Sequence, residues 1–400
     1  MPVVNHTEAG GSAAWPALGF WTLLRVFLRL GLTAFGGPVA HLAYFQHEFV
    51  VRRRWLDEAA YAQLLALCQF LPGPASSQAA MGIGLMRGGL AGALAAWLGF
   101  TLPSAVILFG LALGLAQGWF SLPEGALYGL KIVAVAVVAQ AVWQMMVRLC
   151  PDWGRKGLML ATACCVWWWP AATTQIGLLA MGAAYGLLCL RLMPMKSVAA
   201  TMFVPGISRR MGVALLLLCL ALLLGLPYAA ADGGVSAVGV FAAFYRAGAL
   251  VFGGGHVVLP WLQQALVPTG WVSSDDFMAA YAAAQAMPGP LFAVAAFLGG
   301  SLNGDVSAGW GALLALTAIF LPGALLLLGV WPFWADVQRQ RSVQAALAGM
   351  NAAVVGLLLA AWYQPMWQHS VHSGADVAAV LLAVWLLVLL AAVVGTLLAA

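Results

Sequence analysis

The chain has 400 residues, of which 64% are hydrophobic and 7% charged, with a formal net charge of +5. Soluble domains are about 25% charged, so a soluble globular enzyme is excluded and an all-α polytopic membrane protein is expected. The basic residues are scattered or stand at segment ends, which excludes a nucleic-acid surface and makes them topology signals.

Residues 1–16 (MPVVNHTEAGGSAAWP) read as a flexible tail without the basic start of a secretory leader. The first apolar run carries Arg25 and Arg29, and then FGG at Phe35 to Gly37. The loop with Arg52, Arg53 and Arg54 follows. Next come two apolar pieces too short to span, 58–71 and 75–87, on either side of Pro72, Gly73 and Pro74. They read as the limbs of a re-entrant helical hairpin. Residues 90–116 and 121–147 reach the ~20 residues a crossing needs. The stretch 157–190 splits at WWWP, where Trp167, Trp168 and Trp169 suit an interface belt. The six cysteines (68, 150, 164, 165, 189 and 219) form no CxxC pair and read as reduced, inert thiols. A basic linker, 191–210, leads into the almost wholly apolar 211–228, one extra crossing.

The pattern then starts again. FYRAGALVFGG (244–254) repeats FLRLGLTAFGG (27–37), and GWVSSDDFMAAYAAAQAMPGP (270–290) repeats RWLDEAAYAQLLALCQFLPGP (54–74). GMNAAVVGLLL (349–359) repeats GLKIVAVAVVA (129–139). Short limbs 276–287 and 291–300 flank the second PGP, Pro288, Gly289 and Pro290. Residues 309–331 and 342–363 are long enough to cross. The parts are a tail (1–16), a first membrane repeat (17–190), a linker with the extra crossing (191–235) and a second membrane repeat (236–400). Loops 52–54 and 148–156 are rich in Arg and Lys, whereas their counterparts have none. The bias reverses at 117–124 against 332–342. Cytoplasmic loops are enriched in Lys and Arg, so the two repeats are expected to have inverted topology, as in many secondary transporters.

A helix broken in lipid leaves backbone groups unpaired, at several kcal/mol each, unless it lines a polar cavity or meets a ligand. Its N-terminus offers free N–H groups and about half a positive charge. Proline at a helix start loses no hydrogen bond. Gly36, Gly37, Gly253 and Gly254 and the two PGP tips are therefore candidate substrate contacts. So are Ser76 and Ser77 after the first tip, and Gln69 and Gln285, each three residues before a tip. Leu291, Phe292 and Ala293 follow the second tip and bring no side-chain donor. Arg29 and Arg246 stand six residues before the two FGG units, and Lys131 lies in an apolar run with Asn351 as its counterpart. Charge inside a membrane marks function; snorkelling at a helix end is the other reading of Arg25 and Arg29. All twelve carboxylates fall in loops or near segment ends. Buried cations and helix N-termini favour an anion, and the planar guanidinium fork suits a tetrahedral oxyanion. His41 and His256 titrate near neutral pH when unperturbed; with Glu48 they are candidates for proton coupling, or else satisfied interfacial histidines. No metal or cofactor is expected.

At FLRLGLTAFGGPVAH, RRRWLDEAAYAQLLALCQFLPGP, and FGGGHVVLP followed by GWVSSDDFMAAYAAAQAMPGP, the chain resembles the chromate transporter family in its long, two-half form. The resemblance covers nearly everything from about residue 20. It implies a bacterial inner-membrane carrier that expels chromate and confers chromate resistance, with sulfate as a structural mimic. The expected function is a secondary transporter exporting chromate on the proton-motive force. The expected partners are chromate, sulfate, protons, membrane lipids and a second copy of the chain as a homodimer. No GxxxxGK[ST] motif is present for ATP hydrolysis. The alternatives are a sulfate or oxyanion importer or exchanger, an anion channel with a duplicated pore, and a membrane enzyme. For the last, no HExxH, nucleophile motif or intramembrane carboxylate pair is visible.

Overall fold

The computed structural model describes residues 17–35, 37–119, 124–169, 172–190, 207–230, 234–251, 258–337 and 340–399. Every regular element among them is a helix. The first half contains α1 (Phe20–Thr33), α2 (Gly37–Gln46), α3 (Glu58–Phe70), α4 (Ala75–Ala116), α5 (Glu124–Leu149), α6 (Trp153–Trp168) and α7 (Ala172–Tyr185). A separate helix, α8 (Arg209–Ala229), follows. The second half contains α9 (Ala237–Ala249), α10 (Val258–Leu266), α11 (Ser274–Ala286), α12 (Val294–Gly300) and α13 (Ala308–Val330). It ends with α14 (Trp334–Val337), α15 (Arg341–Ala361), α16 (Gln368–Ser370) and α17 (Gly374–Ala399).

Among the described residues, five stretches are long and apolar enough to cross a membrane: Ala75–Ala116, Lys131–Leu149, Arg209–Ala229, Ala308–Val337 and Arg341–Gln364. They overlap the crossings expected from hydropathy. The extra crossing is α8, which buries only Gly212 and Cys219 and leaves an aliphatic surface outward, as lipid contact requires. The short limbs also appear as expected. Asp57 caps α3 by accepting from the Ala60 N–H, and Ser273, at the matching place, caps α11 through the Asp276 N–H.

α4 reverses direction at Gly88 and Gly89, whose backbones leave helical geometry. Gly84 and Gly92 then touch, so that a Cβ on either would collide with the other's carbonyl oxygen. Eight residues of straight helix would separate them by about 12 Å. The second half makes the same reversal between Gly299 of α12 and Gly311 of α13. The longer pieces are crossed by α1 and α9. α1 turns Leu23, Val26, Phe27, Leu30 and Gly31 inward, a spacing of three and four. Gly31 lies against the backbone of Gly99 and Phe100, and its counterpart Gly248 lies against Ile319. Small residues at both crossings let the helix backbones approach where lipid supplies no hydrophobic drive.

The break at the first FGG is present: Ala34 and Phe35 are not helical and α2 begins at Gly37. Gly36 lies outside the described residues, as do Gly253, Gly254 and His256 of the second unit.

Candidate functional site

The two PGP turns meet the two helix breaks, each across to the other half. The Gly73 N–H donates to the Val251 carbonyl at 2.7 Å, and the Gly289 N–H donates to the Ala34 carbonyl at 2.9 Å. Val251 and Ala34 are the residues immediately before the two FGG units. Breaking α1 and α9 leaves their last carbonyls without helical partners, and the tip of the opposite hairpin supplies the donors. Gly73 has φ +120° and Gly289 has φ +96°, backbone that glycine adopts readily and other residues resist.

A second repeated feature supports each tip. Pro103 lies within α4 and Pro322 within α13. The residue after each proline faces a tip: a Cβ on Gly289 would stand 2.6 Å from the Ser104 Oγ, and one on Gly73 would stand 3.1 Å from the Gly323 Cα. The Gln78 Nε2 donates to the Pro72 carbonyl at 3.0 Å and to the Gly323 carbonyl at 3.1 Å, tying the first tip to α13.

Around these tips the polar groups are buried. The first intrahelical bond of α4 runs from the Gln78 N–H to the Pro74 carbonyl, at 2.9 Å. The N–H groups of Ala75, Ser76 and Ser77 therefore have no helical acceptor. The side chains of Ser76, Ser77 and Gln78 are buried. Ser77 Oγ, Gln78 Oε1, Thr101 Oγ1 and His41 Nδ1 have no hydrogen-bond partner among the described residues. The His41 Nε2 lies 3.2 Å from the Ala34 carbonyl, the same oxygen that receives the second tip. Its ring packs edge-on against Phe100. Because α4 folds back with Gly84 against Gly92, Ser77 lies level with the Gly99–Thr101 segment. Each such orphan costs about 1–3 kcal/mol. Unpartnered polar groups on the segments that form and receive the tips are what a polar guest could bond.

The remaining expected residues are distributed unevenly. Arg29 is exposed on the outer face of α1, and Arg246 is half-buried on α9. Neither has a carboxylate within ion-pair distance among the described residues. Each stands five residues, about 7.5 Å of helix, before the carbonyl that receives a tip. Gln69 is exposed, and Gln285 and Asn351 are half-buried. Lys131 departs from expectation. It pairs with the Asp275 Oδ1 at 2.8 Å, at the end of α11 remote from the tip, so it is neither unneutralised nor part of the tip cluster.

Glu48, expected near a segment end, is buried in the continuation of α2 and accepts from Arg53 Nε at 2.6 Å and Arg52 Nη1 at 2.9 Å. Burial raises its pKa, but hydrogen bonds and charge from Arg53 and Arg52 outweigh this and hold it below the ordinary value. That arrangement keeps it ionised and does not favour a proton carrier. Arg87, outside every repeated motif, is buried on α4. Its guanidinium covers the Trp55 ring at 5.6 Å, beside Arg53 at 5.1 Å. The signal was an arginine between two apolar runs, in MRGG.

A doubled helical unit with reversed helices, glycine tips and buried donors defines a polytopic membrane protein built by internal duplication. The chromate transporter family matches residues 21–187 and again 238–400. The chain belongs to that family and is a transport protein, not an enzyme. It is 29% identical over 360 residues to the chromate transport protein of Pseudomonas aeruginosa, covering 88% of this chain and 82% of that one. It is 28% identical over 380 residues to the chromate transport protein of Cupriavidus metallidurans, covering 89% and 85%. An uncharacterized transporter of Methanocaldococcus jannaschii is 26% identical over 344 residues, covering 84% and 81%. No solved structure matches the chain.

Proposed function

We propose that the chain is a secondary transporter that carries chromate out of the cytoplasm across a bacterial inner membrane, driven by the proton-motive force and open to competition by sulfate. The observation that carries this reading is the reciprocal docking of Gly73 on Val251 and Gly289 on Ala34. Each half docks its tip on the other's helix break, and the Gln78–Gly323 and Lys131–Asp275 bonds also join the halves, so rocking one half against the other must break or slide the two tip bonds. That is the economy of motion an inverted-repeat carrier uses, and the alternation of basic and acidic loops supports inversion of the halves.

The oxyanion is received by the free N–H groups at the start of α4 together with the hydroxyls of Ser76 and Ser77. Hydrogen bonds to an ionised acceptor are about twice as strong as neutral ones. Pro72, Gly73, Pro74, Pro288, Gly289 and Pro290 shape the tips, and Arg29 and Arg246 supply positive potential from about one and a half turns away. His41 touches the carbonyl that receives the second tip, so its protonation state bears on that docking.

Chromate uptake into inside-out vesicles tests the reading. Uptake is expected to saturate, to run uphill with an acidic lumen, and to fall when sulfate competes. Uptake that rises linearly with chromate and ignores the proton gradient would identify a channel instead.

A further inference from the structure

A cleft of about 570 Å³ opens beside α11, away from the tips. Its polar lining includes Lys131, Gln175, Gln263, Gln364 and Gln368, and Trp261 is among its apolar walls. The volume falls within the range of small-molecule sites, which are apolar with a few placed polar groups. Met278 and Ser274 of α11 border it. Ser274 and Met278 span only the first turn of α11, and the helix rises about 18 Å from Ser274 to Ala286, so the cleft borders the end of α11 remote from the second tip.

We infer that this cleft is a second, weaker site for a tetrahedral dianion, with Lys131 as its cation and glutamine amides as its other donors. The inference rests on the oxyanion reading above. The Lys131 Nζ–Asp275 Oδ1 bond is 2.8 Å, but the Asp275 side chain is 64% exposed and that of Lys131 only 25%. The carboxylate is the partner that can swing into solvent while the ammonium stays at the cleft. Exposed ion pairs are weak, so a dianion displaces Asp275 at little cost. The Gln175 Nε2 donates to the Gln264 Oε1 at 2.9 Å, which holds that part of the amide wall in place. Neutral amides bind an oxyanion less tightly than charged donors do, which suits a station where the ion exchanges with bulk water. A metal cation is disfavoured, because no group of three His, Cys, Asp or Glu side chains exists among the described residues.

Equilibrium binding of radiolabelled sulfate to the purified full chain tests this. The wild type should show two classes of site. Ser76→Ala with Ser77→Ala should remove the tighter class and leave the weaker. Lys131→Gln should weaken the weaker class about tenfold or more, as loss of a charged donor implies. Asp275→Asn should tighten it about two- to fivefold by removing the competitor. Gln368→Glu, on an exposed side chain that bears no fold, should weaken the same class and guards against misfolding of the lysine variant. A single class that Lys131→Gln, Asp275→Asn and Gln368→Glu all leave unchanged would overturn the cleft site, while leaving the tip site standing. Loss of only the weaker class in those variants, with the serine variant silent, would sink the tip reading and keep the cleft. A phospholipid headgroup offers the same oxyanion chemistry. Phosphatidylglycerol in mixed micelles should leave the weaker class unchanged, and competition by it would reassign the cleft to lipid.

Discussion

Gly289→Ala addresses the docked tip directly. Gly289 has φ +96°, and placing a side chain in left-handed backbone costs roughly 1–2 kcal/mol. The new Cβ would stand 2.6 Å from the Ser104 Oγ and 3.3 Å from the carbonyl oxygens of Gly31 and Phe100. Ser104 can rotate away only by giving up its bond to the Thr101 carbonyl, now 3.2 Å, worth about 1 kcal/mol. The two carbonyls belong to the tight crossing of α1 on α4 and cannot follow. The total is about 2–3 kcal/mol against docking, roughly a 30- to 160-fold shift at 1.36 kcal/mol per decade. Gly270→Ala is the control, since Gly270 also has positive φ (+73°) but open space where a Cβ would go. Chromate flux per folded protein should fall at least tenfold in Gly289→Ala and stay near wild type in Gly270→Ala. Equal flux in both variants, at equal melting temperature, would refute the argument that the docked tip takes part in transport.

Arg29→Gln and Arg246→Gln should each abolish chromate export, and Arg→Lys should retain part of it, because the charge survives while the bidentate fork is lost; wild-type flux in both folded glutamine variants would make these arginines interface anchors. Glu48 has a folded pKa below its ordinary 4.5, so its contribution to stability is full above that pH and is lost as pH falls through the lowered value. The melting temperature should therefore drop below about pH 4.5. Glu48→Gln should flatten that drop and cost about 1–3 kcal/mol at neutral pH, and an unchanged acid profile in the variant would assign the loss elsewhere.

Local chemistry was readable and long-range pairing was not. The limbs of both hairpins followed from their sub-span length and the PGP between them. The break between Thr33 and Gly37 followed from the glycine pair. The reversal inside α4 was legible as well, since Gly88 and Gly89 separate the expected pieces 75–87 and 90–116. The acceptors of the tips were not legible, because no local rule links Gly73 to Val251. Thr101 and Ser104 sit in a continuous apolar run, although the matching prolines in FTLPSA and IFLPGA offered a third repeated signal. The outward face of Arg29 could have been read from the inward stripe of Leu23, Val26, Phe27 and Leu30. Lys131 was expected to be unpaired because its partner, Asp275, lies 144 residues away.

The bond from Gln78 to Gly323 joins residues 245 apart. Ribosomes add about 5–20 residues per second, so the first hairpin is in the bilayer for roughly 12 to 50 s before that acceptor has been synthesised. Over the same stretch of synthesis the Gly73 N–H waits for Val251 and the Ala34 carbonyl for the Gly289 N–H, while the Gln78 amide, which can already bond the Pro72 carbonyl, waits for its second acceptor. Unpaired backbone groups are costly in hydrocarbon, so the early half must be sheltered, either by staying near the interface or by an insertion factor. Biogenesis would then be most vulnerable not at the first crossing but while the second hairpin is being made.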